Sequence, residues 1–151
     1  MKIKFSVFVL VCLLLLSSCS KTNEAYVGMS MDEFNSFMEG NDVFLYGPYA
    51  FWHDERENYF AAEFSNESFE ISRIESFSNR DGKPTKRDFE NIIEGMDIFQ
   101  VVEILGNPLG STTSGLSTLD FEADDGMVYR IHLDATAGYK VIEVYPLPSI
   151  S

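Results

Sequence analysis

Apolar residues recur at helical spacing in two stretches of the chain, and a capping pattern precedes each of them. The apolar positions are Phe34, Phe37 and Met38 in the first stretch, and Val101, Ile104 and Leu105 in the second. Ser30 with Glu33, and Asp97 with Gln100, are a short polar residue followed three positions later by Glu or Gln, which is a capping box. We therefore predict two helices, each with one buried face.

Both helices follow a Gly-Met phrase, and its glycines, Gly28 and Gly95, lie 67 residues apart. The same offset aligns most of the following residues. A slip of one residue then aligns Ile74-Glu75-Ser76-Phe77 with Ile142-Glu143-Val144-Tyr145. An offset that persists through helix, turn and last strand indicates a tandem duplication.

Alternation of apolar and polar residues predicts three antiparallel strands after each helix. They span residues 43–54 (kinked at 47–48), 59–65 and 69–78 in the first copy, and 117–123, 127–134 and 140–145 in the second. A further helix, capped by Thr85 and ending at Ile93, has no clear counterpart before the first copy. We predict an α+β fold in which two tandem helix-helix-β-β-β repeats form one antiparallel sheet with the helices on one face.

The N-terminus has the pattern of a secretion signal. Lys2 and Lys4 precede an apolar run from Phe5 to Leu16, which is too short to span a bilayer comfortably. Leu16-Ser17-Ser18-Cys19 then resembles the lipobox of bacterial lipoproteins at every position. That resemblance implies that Cys19 becomes the new N-terminus, is diacylated on sulphur and is acylated again on its amino group, palmitate being a typical acyl chain.

These patterns divide the chain into five segments. They are a signal peptide (1–18), a lipidated tether (19–26), repeat 1 (27–78), a turn-forming linker (79–85) and repeat 2 (86–148). We expect an extracytoplasmic, lipid-anchored protein. Its location is the outer membrane in a host with two membranes, and otherwise the outer face of the plasma membrane.

Charge and cysteine content exclude nucleic-acid binding and thiol chemistry as functions of the folded part. The chain carries 24 acidic and 11 basic residues, a formal net charge of −13. Nucleic acid is therefore excluded as a partner, because a phosphate backbone requires a basic face. Cys12 leaves with the signal peptide and Cys19 carries lipid, so the folded part has neither a disulfide nor thiol chemistry.

The repeat pattern resembles two families. Tandem units with a Gly-Met phrase, the second helix ending in Leu105-Gly106-Asn107-Pro108, look like the β-lactamase inhibitor protein fold. Single units look like the SmpA/OmlA (BamE) outer-membrane lipoproteins, and the pattern covers residues 27–146. The first resemblance implies a curved sheet whose open face grips a protein, and the second a role in envelope assembly. The inhibitors have disulfides, which this domain lacks, and no inhibitory loop can be matched residue by residue.

Strand alternation also predicts which face of the sheet is open. We expect Trp52, Phe64, Leu119, Phe121, Ile131 and Leu133 to face the helices. The candidate partner-binding residues on the opposite face are Tyr49, Phe51, His53, Tyr59, Glu63, Asp120, Arg130 and His132. Large rings beside polar groups suit a protein contact. The alternative is that the aromatic residues between positions 46 and 52 fill the core.

Enzymatic and metal chemistry find little support in the sequence. His53 and His132 each precede carboxylates, but neither stretch has a zinc-ligand spacing. The acidic run 120–125 lacks the central glycine and closing glutamate of a calcium loop, and no Gly-x-Ser-x-Gly phrase occurs. We predict a non-catalytic protein without cofactor that binds another protein through the open face. The alternatives are a structural accessory of cell-envelope or outer-membrane assembly, and a small-ligand or peptide-binding lipoprotein.

Overall fold

The computed structural model describes residues 24–54, 58–78, 82–111 and 117–148, so the signal peptide and Cys19 lie outside the described residues. In chain order its elements are α1 (Met31–Phe37), β1 (Val43–Tyr46), β2 (Tyr49–His53), β3 (Tyr59–Phe64), β4 (Ile71–Phe77), α2 (Lys86–Glu90), α3 (Ile98–Leu105), β5 (Ser117–Glu122), β6 (Val128–Asp134), a 3₁₀ turn (Ala135–Ala137) and β7 (Lys140–Pro146). Helices with antiparallel sheets confirm the predicted α+β class. Across the described ranges, no helix has the length and apolar character needed to cross a membrane.

The helices α1 and α3 begin at the predicted caps. Ser30 Oγ accepts the N–H of Glu33 at 3.3 Å, and the Glu33 carboxylate accepts the N–H of Ser30 at 2.9 Å. Asp97 and Gln100 exchange the corresponding two bonds at 2.9 Å each. Both helices thereby satisfy donors that their first turn would otherwise leave without a partner.

The strands form two sheets, so the prediction of one continuous sheet is wrong. The first sheet has the order β1-β2-β3-β4 and the second β5-β6-β7, all antiparallel. The predicted kinked strand is in fact the hairpin β1-β2, because Gly47 with φ 54° turns the chain and Tyr46 pairs with Tyr49. Among the described residues, the first unit has one helix and four strands, while the second has two helices and three strands. The described parts of the chain therefore do not form two tandem helix-helix-β-β-β repeats.

The composition of α3 gives a physical reason for two sheets. Five of its eight residues are buried, so its apolar surface extends beyond a single stripe and must be covered on more than one side. Its side chains share one core cluster with Tyr49, Phe51 and Ala61 of the first sheet and with Leu119 and Ile131 of the second. A single sheet with helices on one face would have left part of α3 in water.

The opposite face of the first sheet is covered by α1. Phe34 packs there against Trp52 and Phe64, with ring centroids 5.3 Å apart in both edge-on pairs. Ala50 and Ala62 complete the contact. The first sheet is therefore buried on both faces. The positions predicted to face the helices do so, because Trp52 and Phe64 cluster with Phe34 of α1. Those of the second sheet cluster with the side chains of α3 (Leu119, Phe121, Ile131 and Leu133).

The two units share one local pairing. Gly28 and Gly95 each donate an N–H, at 2.8 Å, to the carbonyls of Ile71 and Val141 at the start of the last strand of their unit. The N–H groups of Ile71 and Val141 donate back, at 2.9 Å, to the methionine that follows the glycine. Each Gly-Met phrase thus ties the beginning of a helix to a strand.

Candidate functional site

Tyr49 and Phe51 do not lie on an open face, and their predicted placement there is wrong. Tyr49 is 5% exposed and Phe51 is 1% exposed, because the second unit covers this side of the first sheet. The Tyr49 ring meets those of Phe99 and Tyr139 at centroid distances of 6.1 and 5.4 Å. Its hydroxyl donates to Glu63 Oε1 at 3.3 Å, and burial together with this carboxylate raises the pKa of Tyr49. These aromatic residues belong to the core.

A group of three charged side chains lies where the first sheet packs against α3, and we call this boundary the seam. Arg73 lies with its guanidinium carbon 3.8 Å from the ring centroid of Phe99, and its Nη1 is 3.4 Å from Asp97 Oδ2. Lys140 Nζ lies 3.7 Å from the same oxygen. Partial burial by itself would raise the pKa of Asp97, but the N–H of Gln100 and the two cations outweigh it and lower that pKa.

His53 and Tyr59 form a separate part of the predicted site. They pair across β2 and β3, and their ring centroids are 5.4 Å apart. His53 is exposed, whereas Tyr59 is partly buried beside the end of α3, close to Gly106. The structure therefore divides the eight predicted residues between the first sheet, which carries five, and the second sheet, which carries three.

Asp120, Arg130 and His132 lie together on the face of the second sheet that points away from α3. Arg130 holds Asp120 with two hydrogen bonds, Nε to Oδ1 at 2.7 Å and Nη2 to Oδ2 at 2.8 Å. His132 Nδ1 lies 3.4 Å from Glu143 Oε1, a carboxylate on the neighbouring β7. Thr118, in the same row as His132, is buried, so one end of this face is covered. We call this face the charged face.

A cleft of about 360 Å³ opens beside the charged face, between α2 and β7. Apolar side chains line it, and the rings of Phe89 and Tyr129 stack there with centroids 4.1 Å apart. Charged residues also line it, namely Lys86, Glu90, Glu94 and Glu143. An apolar floor with three acids and one base suits an apolar side chain carried on a cationic segment. We call it the α2-β7 cleft.

The α2-β7 cleft is not predicted by the sequence patterns. One signal was available, since the acids Glu90 and Glu94 lie close to the apolar residues Phe89, Ile92 and Ile93 in a segment with no counterpart in the first unit. The other wall comes from β7, about fifty residues later, and no local pattern joins the two. Only the packing of α2 beside the last strand brings them together.

In the part of the chain that the structure describes, no three His, Cys, Asp or Glu side chains come together in a way that could hold a metal ion. The acids of the α2-β7 cleft, Glu90, Glu94 and Glu143, are exposed and therefore solvated. No protein-family model matches the chain, and no curated protein sequence matches it.

Proposed function

We propose that this protein is a non-catalytic, lipid-anchored binding protein of the cell envelope. Its anchor is Cys19, and its partner is another protein that docks on the second unit. The lipobox and the short apolar run before it support the anchor. The observation that carries the binding function is the α2-β7 cleft, where the exposed Ile142 lies among acidic side chains above a floor of buried, stacked rings.

The partner presents a basic segment with at least one large apolar side chain. Phe89 and Tyr129 are 4% and 8% exposed, so they form the buried floor of the cleft, and the exposed side chain of Ile142 supplies the apolar contact. The surrounding acids favour an approaching cation. Glu143 both lines the cleft and contacts His132, so the contact area extends around β7 onto the charged face. We therefore still propose Asp120, Arg130 and His132 as partner-binding residues, located at the edge of the contact area.

We also propose that the units descend from one duplicated sequence, residues 27–78 and 86–148 joined by a linker. The constant offset, the two capping boxes and the matching Gly-Met pairing support this origin. The resemblance to tandem inhibitor units and to single-unit envelope lipoproteins is a proposal about ancestry. Two sheets in place of one are a departure from what the inhibitor resemblance implied.

Photo-crosslinking in cells of the source organism tests the binding function. A photoreactive residue at Ile142, which lines the cleft and is exposed, should crosslink a protein partner. The same residue at Leu45, which is exposed on β1, should not. Equal products from both positions, or none from Ile142, would contradict docking on the second unit.

Reversing the charges of the cleft tests whether its acidic side chains are needed for the crosslink. The double variant Glu90→Lys with Glu94→Lys should lose most of the product formed from Ile142, because the acids of the cleft would now repel a basic segment. Glu39→Lys with Asp42→Lys makes the same change of charge at exposed positions of the first unit and should keep the product. Equal yields in the two double variants would exclude a role for the acidic rim.

The identity of the product separates the alternatives. Components of outer-membrane assembly would favour a structural accessory of the envelope. A short basic peptide in the cleft, with no protein product, would favour a peptide-binding lipoprotein.

A further inference from the structure

Three exposed apolar residues lie near the start of the folded part. Tyr26, Val27 and Phe69 are 41%, 60% and 64% exposed. Two belong to the N-terminal segment and the third to the turn between β3 and β4. The Met31 N–H donates to the Phe69 carbonyl at 3.0 Å, and the Gly28 N–H to that of Ile71 at 2.8 Å, so this turn lies beside the N-terminal segment. We call the three residues the anchor-side patch.

Both the backbone conformation and the exposure of Phe69 are energetically unfavourable. Its φ is 55°, in the left-handed region, where Gly or Asn is usual and a bulky side chain is strained. The turn holds this conformation, since the Phe69 N–H donates to Ser65 O at 2.9 Å and the Ser65 N–H to Glu70 O at 2.8 Å. The ring also projects into solvent rather than into the core. A strained and exposed aromatic residue is an outlier from which a function can be inferred.

The short segment between Cys19 and the folded part limits how far the anchor-side patch can lie from the membrane. Cys19 precedes Glu24, the first described residue, by five positions. An extended chain spans at most about 3.6 Å per residue, so Glu24 stays within about 18 Å of the lipidated cysteine. This step rests on the proposed lipid anchor. With that anchor, the N-terminal segment and the turn beside it are held close to the bilayer.

We propose that the anchor-side patch rests on the membrane, with the Phe69 ring in the boundary between headgroups and acyl chains. Aromatic and aliphatic side chains bind this layer by burying apolar area. The lipid is zwitterionic, because the exposed carboxylates of Glu24, Glu67 and Glu70 lie in the same two segments and are repelled by anionic headgroups. The contact fixes the orientation of the folded part on the membrane.

Tryptophan quenching tests the contact in the lipidated mature protein. The protein is reconstituted in phosphatidylcholine vesicles with brominated acyl chains, which quench tryptophan that enters the acyl region. Phe69→Trp should gain an emission component that shifts to the blue and is mostly lost with brominated lipid. Ile93→Trp, at a comparably exposed apolar position of the second unit, should show neither effect. Buried Trp52 supplies the common background.

The outcomes separate this contact from the anchor itself. Vesicle flotation without quenching of Phe69→Trp overturns the contact and leaves the anchor standing. Failure to float overturns the anchor and, with it, the contact. Equal quenching of both variants overturns a fixed orientation. Replacing part of the phosphatidylcholine by phosphatidylglycerol should reduce quenching in Phe69→Trp, and an increase would contradict the choice of zwitterionic lipid.

Discussion

Phe64 and Phe69 lie five positions apart on either side of one turn, yet their side chains have opposite surroundings. Phe64 packs against Phe34 and is buried, while Phe69 is exposed. The difference gives a matched pair of truncations in the same part of the first unit. Their energies measure how much of the stability of this unit depends on the core beneath α1.

Phe64→Ala should lower the free energy of unfolding by ~3–5 kcal/mol, because it removes apolar contacts and leaves a cavity. Urea denaturation measures the change. Phe69→Ala removes the same atoms from an exposed ring and should cost far less. A loss for Phe64→Ala as small as the loss expected for Phe69→Ala would mean that Phe64 does not belong to the core.

At the scale of the element, α3 joins the two sheets. Its side chains share one cluster with both sheets, and its cap, Asp97, lies beside Arg73 of β4 and Lys140 of β7. A carboxylate at a helix N-terminus also interacts favourably with the helix dipole. The same residue therefore starts the helix and helps to hold the sheets beside it.

Asp97 should make stability depend on pH. Its pKa is lowered in the folded state, so its contribution is present above the ordinary aspartate pKa of 3.8 and is lost as pH falls through the folded value. Asp97→Asn keeps a good helix cap but removes the charge. We expect this variant to lose about 0.5–1 kcal/mol at pH 7, a small effect because the seam is partly exposed to solvent.

Urea midpoints at pH 7 and near pH 2 test this dependence. The difference between Asp97→Asn and the unsubstituted protein should shrink at the lower pH, because protonation of Asp97 progressively removes the charge that the variant lacks. Asp42→Asn, an exposed position of the first unit, is the control and should follow the unsubstituted protein at both pH values. A constant difference would contradict the role given to the Asp97 charge.

At the scale of the whole molecule, the layers run from α1 through the first sheet and α3 to the second sheet. Among the described residues, α1 and α3 cover three of the four sheet faces, which leaves the α2-β7 cleft and the neighbouring, partly covered charged face for a partner. The anchor-side patch belongs to the first unit. The proposed membrane contact and the proposed partner site therefore use different units of one molecule.

Attachment to the membrane is the prediction that belongs to this scale. Cys19→Ala should release the protein from the membrane fraction and abolish its labelling with palmitate, because the thiol that carries the lipid is gone. Cys12→Ala changes the other cysteine, inside the apolar run, and should leave both unchanged. Membrane fractionation with metabolic labelling gives the result. Retention and labelling of the Cys19 variant would show that another group holds the protein.

The sequence by itself determined the local structure. The capping boxes at Ser30 and Asp97 and the inward positions on the strands arise from hydrogen bonds and periodicities within a few residues. Gly47 was identified as a break, but the turn it makes was not. A glycine in an apolar run permits both a kink and a hairpin, and the pairing of β1 with β2 selects the hairpin.

Only the tertiary structure decided what covers each face. Alternation assigns the residues of a strand to its two faces, and it correctly assigned Phe51 and Trp52 to different faces of the first sheet. It carries no information about which element packs on each face. On the face of Tyr49 and Phe51 that element is α3, whose residues are about fifty positions away from them. The α2-β7 cleft also joins segments about fifty residues apart. Contacts at such separations depend on how whole layers bury their apolar surfaces, which no short stretch of sequence specifies.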